Sequence, residues 1–533
     1  MNKTIHLIAI IGIILIAYSN SLRNGFALDD GSLIVDNTSL HGISMKNIKE
    51  VFSSATNGLE YLPVRDLTYC IDYEIWGLNP FGYHLSNLIY YIVVCILIYF
   101  FLLGVITVPK FRDSSHMAIA FLSTAVFAVH PVHVEVVSGI SQRKDLVSGI
   151  FFFLSLYGFI LYKDKGRLLF YSGSIAMFAL SLLSKSTVVF LPLTIFLIDS
   201  LTYAEEGIQR KLIRVMPYLF IGAIISLVEI MVLKETGVFK TEYSFGSGYE
   251  FRVYSSFRAV FYYLKLLFVP YPLDVFQRFS ISRSLFELKV IFSIIGVAVM
   301  LYLIYLVRKA RPVLSFSGAW FMISIIPAIG LIPTGIVIAE RYLFLPSLGF
   351  CLAIGLLIQK GIEMQKTLRW GLPIAFGLII SGFMFISYNR NFDWKDNETL
   401  FLSSVRVSPD RASAHFRLGR EYFYMARYEE AFRSLAVAEE MDPLYGINYR
   451  VFEALRAIEL NNPNEALRLL GEITHPKKED IFEVNYLYGK SYEAMGDYEK
   501  AQKSYNQALS SAIKLDALSF RKFKHAFKEN SPD

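Results

Sequence analysis

The chain has 533 residues, of which 54% are hydrophobic, 15% aromatic and only 18% charged. Its mean hydropathy of +0.43 is too high for an ordinary soluble domain, so most of it belongs in lipid. The net charge of +6 is spread over short loops without an arginine-rich patch, which excludes a nucleic-acid-binding protein. Three cysteines, Cys70, Cys95 and Cys351, form neither a disulfide framework nor a CxxC metal pair.

The first segment, MNKTIHLIAIIGIILIAYSNS, has the lysine and apolar run of a signal peptide but no small-x-small cleavage site. It is read as an uncleaved first transmembrane helix. Apolar stretches then recur at lengths that cross a bilayer or nearly so, and the expected spans are 5–21, 84–108, 117–131, 145–162, 168–184, 186–203, 212–233, 289–307, 315–332, 345–359 and 370–387. Segment 254–270 is ambiguous, because Arg258 and Lys265 interrupt it and Pro270 and Pro272 end it. Basic residues gather in alternate short loops: Lys110 and Arg112; Lys163, Lys165 and Arg167; Arg210, Lys211 and Arg214; Arg308, Lys309 and Arg311; Lys360, Lys366 and Arg369. The positive-inside rule makes all five loops cytoplasmic only if 254–270 is an interfacial or re-entrant helix. About eleven spans, a cytoplasmic N-terminus, a long first outer loop over about 22–83 and an extracytoplasmic C-terminus are expected.

After Tyr388 the composition turns soluble and helical, and a repeat appears. Ala412 to Tyr445 carries Leu418, Gly419, Tyr422, Tyr428, Ala431, Leu435, Ala438 and Pro443 at tetratricopeptide offsets, and Gly489, Tyr492, Gly496, Tyr498, Ala501, Tyr505 and Ala508 repeat them. A degenerate copy around NNPNEALRLL lies between. The expected fold class is all-α: a polytopic membrane domain over 1–390, a linker over 391–411, and a tetratricopeptide α-solenoid over 412–533. Its copies are 412–445, about 447–480 and 482–515, and the basic run FRKFKHAFKEN is expected to cap it.

Three polar clusters fall at predicted outer ends of spans. Asp29 and Asp30, in NGFALDDG, are adjacent carboxylates just past the first apolar helix, where packing gives them little purpose; they read as a catalytic base or ion site, against a helix cap or turn. In HPVHVEVVSGISQRKDL, His130, His133 and Glu135 do not share one helical face, so a structural or ligand-bonding role outweighs metal ligation. Arg143, Lys144 and Asp145 follow as interfacial anchors or phosphate ligands. In AERYLFLPS, Arg341 sits in an outer loop against the charge bias, where it either neutralises a lipid phosphate or pairs with Glu340. Lys185 in LLSKST is a weaker case of the same kind. Asn37 and Asn397 begin N-x-S/T triplets on the expected outer face.

Taken in order, YSNSLRNGFALDD, YLPVRDLTYCIDYEIWGLNPFGYHLSNLIYY, HPVHVEVVSGISQRKDL, LLSKS, AERYLFLPSLGF and RNFDWKDNETLF leading into the repeats resemble the transmembrane and tetratricopeptide-repeat-containing O-mannosyltransferases, relatives of the protein O-mannosyltransferases with the GT-C membrane fold. The resemblance covers nearly the whole chain. It implies transfer of a sugar, mannose in that family, from a polyprenyl-phosphate donor to an acceptor hydroxyl on the extracytoplasmic side, with inversion. It also implies that the acidic pair of the first outer loop holds the base, at Asp29. Two departures stand out: Lys185 is followed by Ser186 where the family has an acidic residue, and the repeat array is short.

The chemistry agrees with that implication. A hydroxyl is a weak nucleophile, and a carboxylate within reach can take its proton during attack. Polyprenyl phosphate leaves as a stable anion and needs positive charge around it more than a general acid. Asp29 is the expected base, with Asp30 orienting the acceptor, holding a cation or binding sugar hydroxyls. His130, His133, Glu135, Arg143, Lys185, Glu340 and Arg341 are the expected donor-binding set, and participation of a divalent cation is left open. Expected partners are the lipid-linked donor, a protein or glycan acceptor, and a protein on the repeat surface. A bacterial inner membrane is expected rather than the endoplasmic reticulum. The competing functions are a membrane oligosaccharide ligase or polymerase, and a non-catalytic membrane-anchored scaffold.

Overall fold

A computed structural model describes residues 2–57, 60–106, 115–202, 206–236, 249–331, 338–364, 371–473 and 480–515. The loop residues Lys110, Arg112, Lys366 and Arg369 and the expected capping run lie outside the described residues. The chain divides into two compact units: Met1–Ser53, Leu62–Glu229 and Tyr243–Asp396 form the first; Ser54–Tyr61, Ile230–Glu242 and Asn397–Asp533 form the second. Among the described residues the fold is helical, with no strand.

The first unit begins with α1 (Lys3–Tyr18), α2 (Met45–Ser53), α3 (Pro63–Trp76) and α4 (Pro80–Ile106). Next come α5 (His116–Val129), α6 (Val134–Ser138), α7 (Arg143–Lys165), α8 (Leu168–Leu182), α9 (Leu191–Thr202) and α10 (Ile208–Thr236), whose last turns from Ile230 fall to the second unit. The helices α11 (Tyr249–Phe268), α12 (Leu288–Val307), α13 (Pro312–Ile325), α14 (Ser347–Met364) and α15 (Gly371–Asp393) complete it. Every one of the expected spans is helical over most of its length. Among the described residues, six helical stretches are long and apolar enough to cross a membrane: Lys3–Arg23, Pro80–Ile106, Ile140–Lys165, Ile208–Lys234, Leu288–Val307 and Gly371–Asp393. A seventh is broken: α5 and the following Pro131–Ser138 meet at 56°, where Pro131 has no N–H to continue the ladder. Leu168–Leu182, Ser186–Leu201 and Pro312–Ala328 are shorter apolar helices. The protein is a multi-pass membrane protein.

Local signals set the helix ends. Gly166 closes α7 in the left-handed conformation (φ 66°) with Lys163 and Lys165 in the last turn, where cations meet the negative end of the helix dipole. The ambiguous segment 254–270 is helix α11, which is not among the stretches long and apolar enough to span. Its Tyr263, Leu266 and Leu267 are buried in a cluster with Ile325, Ile338 and Leu343, while Arg258 donates to Ser280 O at 2.9 Å and Ser282 Oγ at 2.6 Å.

The second unit contains α16 (Asn397–Val407), in the stretch expected as a linker, then α17 (Ala412–Tyr424), α18 (Tyr428–Met441), α19 (Gly446–Glu459), α20 (Pro463–Gly471), α21 (Asp480–Ala494) and α22 (Tyr498–Leu515). The last six form three antiparallel pairs, so the degenerate middle copy is a complete helical pair. Close helix approach depends on small residues. A Cβ on Gly419 would lie 2.8 Å from Leu435 Cγ, and one on Gly489 would lie 2.4 Å from the Tyr505 ring.

Candidate functional site

The two aspartates part company. Asp30 is fully buried, and its carboxylate accepts backbone N–H bonds from Ala27 at 3.0 Å and from Ser141 at 2.7 Å. Oδ1 thereby fastens the loop after α1 to the segment between α6 and α7, while Oδ2 closes a turn within the loop. Burial pushes this carboxyl up to about 6 despite those bonds. Asp29 is exposed, and among the described residues no hydrogen bond reaches its carboxylate. Its own C=O accepts from Leu33 N at 2.9 Å, starting the π-turn Gly31–Val35. Leu28, just before it, is held at φ 58°, a left-handed conformation costly for a branched side chain. Beneath the loop, Ile34, Leu40, Val51, Tyr69, Cys70, Tyr83 and Ile140 form a buried apolar floor.

Three of the expected donor ligands are occupied inside the fold. The Arg143 guanidinium is completely buried; it donates to Asn87 Oδ1 at 2.7 Å and Tyr83 O at 2.9 Å, pairs with Asp72 at 2.6 Å and stacks over Tyr69 at 4.6 Å. It joins α3, α4 and α7 as a staple. His130 bonds Leu267 O at 3.0 Å, and His133 bonds Ser347 Oγ at 2.9 Å with its other nitrogen toward Phe127 O and Tyr91 Oη. Both rings are fully buried beside the break after α5.

The remaining charges converge. A cavity of about 30 Å³ is lined by Lys185, Arg341, Asp145, Tyr342 and Thr187, with apolar walls that include Phe190, Pro327 and Leu345. Lys185 caps the turn Ser186–Phe190 and pairs with Asp145 of α7; burial pulls its ammonium below the usual lysine value, and Asp145 opposes that pull. Arg341 stands in the turn Glu340–Leu343. Its guanidinium pairs with Glu135 of α6, whose second oxygen accepts the Arg341 backbone N–H at 2.9 Å. Burial would lower this guanidinium, but Glu135 holds it above the ordinary arginine value, and the Asp29 carboxylate is among the charges that raise it further. Asp29 thus lies within electrostatic reach of the cavity's arginine. Glu340 points elsewhere: fully buried, it accepts from Gln277 Nε2 at 2.7 Å and lies 3.8 Å from Arg390, and burial pushes its carboxyl above the usual carboxylate range. The local Glu340–Arg341 pair weighed from the sequence gives way to two longer-range ones.

Sequence reasoning passed over Asn391. Its side chain donates to Ala17 O at 2.8 Å and Asn20 Oδ1 at 2.7 Å, and accepts from Ser138 Oγ at 2.8 Å, so it locks the end of α1 to α6. Beside it, Gly25 N–H donates to Lys395 O at 2.7 Å. The only sequence signal was the asparagine's place in RNFDW, a polar run ending an apolar helix. Among the described residues, no group of three or more His, Cys, Asp or Glu side chains is arranged to hold a metal ion.

Comparison with known proteins bears on this arrangement. A tetratricopeptide-repeat family model matches residues 482–512, the third helical pair. Protein O-mannosyl-transferase TMTC3 of Homo sapiens is 24% identical over 94% of this chain and 61% of its own length. Protein O-mannosyl-transferase F38B6.6 of Caenorhabditis elegans is 25% identical over 83% of this chain and 63% of its own, and protein O-mannosyl-transferase TMTC4 of Mus musculus is 26% identical over 76% and 62%. The chain is thus similar over most of its length to proteins named protein O-mannosyl-transferase. It spans about three fifths of the length of these TMTC-type relatives, and the similarity runs through both the membrane unit and the repeats.

Proposed function

We infer that the protein is an integral-membrane glycosyltransferase that moves a sugar, mannose by the names of its relatives, from a polyprenyl-phosphate donor to a hydroxyl of a protein or glycan acceptor on the extracytoplasmic face. The observation that carries this reading is a cavity lined by Lys185 and Arg341, with Asp29 exposed and, among the described residues, no hydrogen bond on its carboxylate.

In the proposed reaction the donor's phosphate lies against Lys185 and Arg341. The acceptor oxygen attacks the anomeric carbon from the opposite face as the bond to phosphate oxygen breaks, so the configuration inverts. Asp29 takes the hydroxyl proton. The negative charge growing on the phosphate is met by two cations already fixed in a largely buried site, where they need little rearrangement. Asp30 positions: its two backbone bonds hold the loop that presents Asp29. Glu135 does the same for Arg341. The repeats, which supply a helical surface of the kind used for protein recognition, are assigned to the acceptor or a protein partner.

The test is sugar transfer by the purified protein from a polyprenyl-phosphate mannose. Asp29→Asn is expected to lower the rate by about a hundredfold or more while leaving donor binding in place. An unchanged rate would remove Asp29 as the base. No transfer by the unaltered protein, with loss of a partner complex on deleting residues 412–533, would favour a scaffold.

A further inference from the structure

The two cations of the cavity are held in different ways. Glu135 uses both oxygens on one residue, one on the Arg341 guanidinium and one on its backbone N–H, so the acid fixes the turn as well as the charge. Asp145 uses one oxygen on Lys185; its other oxygen, Oδ2, is buried without a hydrogen-bond partner among the described residues. Asp145 and Lys185 are only 4% and 8% exposed, and both line the cavity. A buried carboxylate facing the place where a phosphate would sit is unfavourable unless its cation is shared.

Resting on the phosphate-site reading above, we propose that Asp145 is a competing counter-ion: it holds Lys185 when the cavity is empty, yields it to an entering phosphate, and reclaims it to expel the product. The donor is a phosphodiester with one negative charge. The product is a phosphomonoester that approaches two charges near neutral pH, so Asp145 repels the product more than the donor. Glu135 does not act this way, because releasing Arg341 would also release the turn that carries it.

The alternative is that Asp145 only steadies Lys185 or favours the start of α7, where it lies in the first turn. Binding distinguishes the two. The probes are a short-chain isoprenyl phosphomannose and the matching isoprenyl monophosphate, titrated into the purified full chain. Competition predicts that D145N binds the monophosphate about tenfold more tightly, gains less for the phosphomannose, and turns over with both KM and kcat lowered because product leaves slowly. E135Q should bind both probes more weakly. Weaker or unchanged monophosphate binding by D145N overturns the proposal.

A second pair of variants guards against misfolding of D145N, which leaves a buried lysine unpaired. K185Q retains the negative carboxylate, whereas D145N/K185Q is neutral at both positions. Competition predicts tighter monophosphate binding by the double variant than by K185Q. Equal affinity overturns it. If the unaltered protein retains neither probe, the phosphate-site reading fails and this inference falls with it; retention with the wrong order among variants removes the counter-ion role alone.

Discussion

The membrane unit and the repeat unit spend their polar side chains differently. In the first, Arg143, Asn391, Glu135 and Asp30 are buried and bond partners far away in sequence, such as Arg143 to Asn87 and Glu135 to Arg341. In the second, Arg468 pairs with Glu465 and Glu472, and Arg433 with Glu429, within four residues, while longer-range pairs such as Arg427 with Glu398 and Arg450 with Glu472 are partly exposed rather than buried. A helix in lipid gains little by hiding apolar side chains from its neighbours, so interhelical packing and polar bonds must help specify its partners. The repeats, facing water, are held by apolar packing around small residues, and their ion pairs are incidental.

That contrast can be broken at either end. The largest effect is expected for Arg143→Leu, which strands Asp72 in the interior; removing one member of a buried pair costs about 3 to 5 kcal/mol, read as loss of folded protein on extraction and gel filtration. Next comes Gly419→Val, whose side chain would collide with Leu435 and Ala431 and destabilise the repeats by about 1 to 3 kcal/mol; limited proteolysis should cut the repeat unit first. A third effect concerns pH. The Asp30 carboxyl rises on folding from 3.8 to about 6, so between those values the folded state binds the extra proton and stability falls as pH rises through the window. Asp30→Asn should flatten that slope in melting curves taken across it, and a slope that persists would assign it to another group. The smallest change is expected for Arg468→Ala, whose melting temperature should match that of the unaltered protein. A clear drop there would mean that the repeats also depend on their surface ion pairs.

The helices were legible because lipid demands long apolar runs, and the repeats because Gly419 and Gly489 stand where no larger side chain fits. The pairings were not legible. From sequence, Lys185 appeared to lack an acidic companion because Ser186 follows it, yet Asp145 supplies one from forty residues earlier. Arg143 read as a phosphate ligand or an anchor, and it is a staple, because three helices close around it only after folding. His130 and His133 hydrogen-bond to partners on α11 and α14 that their spacing along the chain does not reveal. Of the aspartate pair, the resemblance already set Asp29 apart as the expected base and Asp30 as a helper, but not that the Asp30 carboxylate is tied to the Ser141 N–H. Their fates depend on whether Ser141, on another loop, arrives beneath one of them.

The loop after α1 also buries its own address label. Asn37 opens an N-x-S/T triplet, but only 1% of it is exposed and its amide donates to Leu33 O, while Asn397 donates to Glu421 Oε2 at 3.2 Å. An oligosaccharide cannot be attached to Asn37 once the loop has closed. In a compartment that modifies such triplets, a glycan on Asn37 would therefore act as a timestamp, marking chains whose first loop was still open when the modifying enzyme passed.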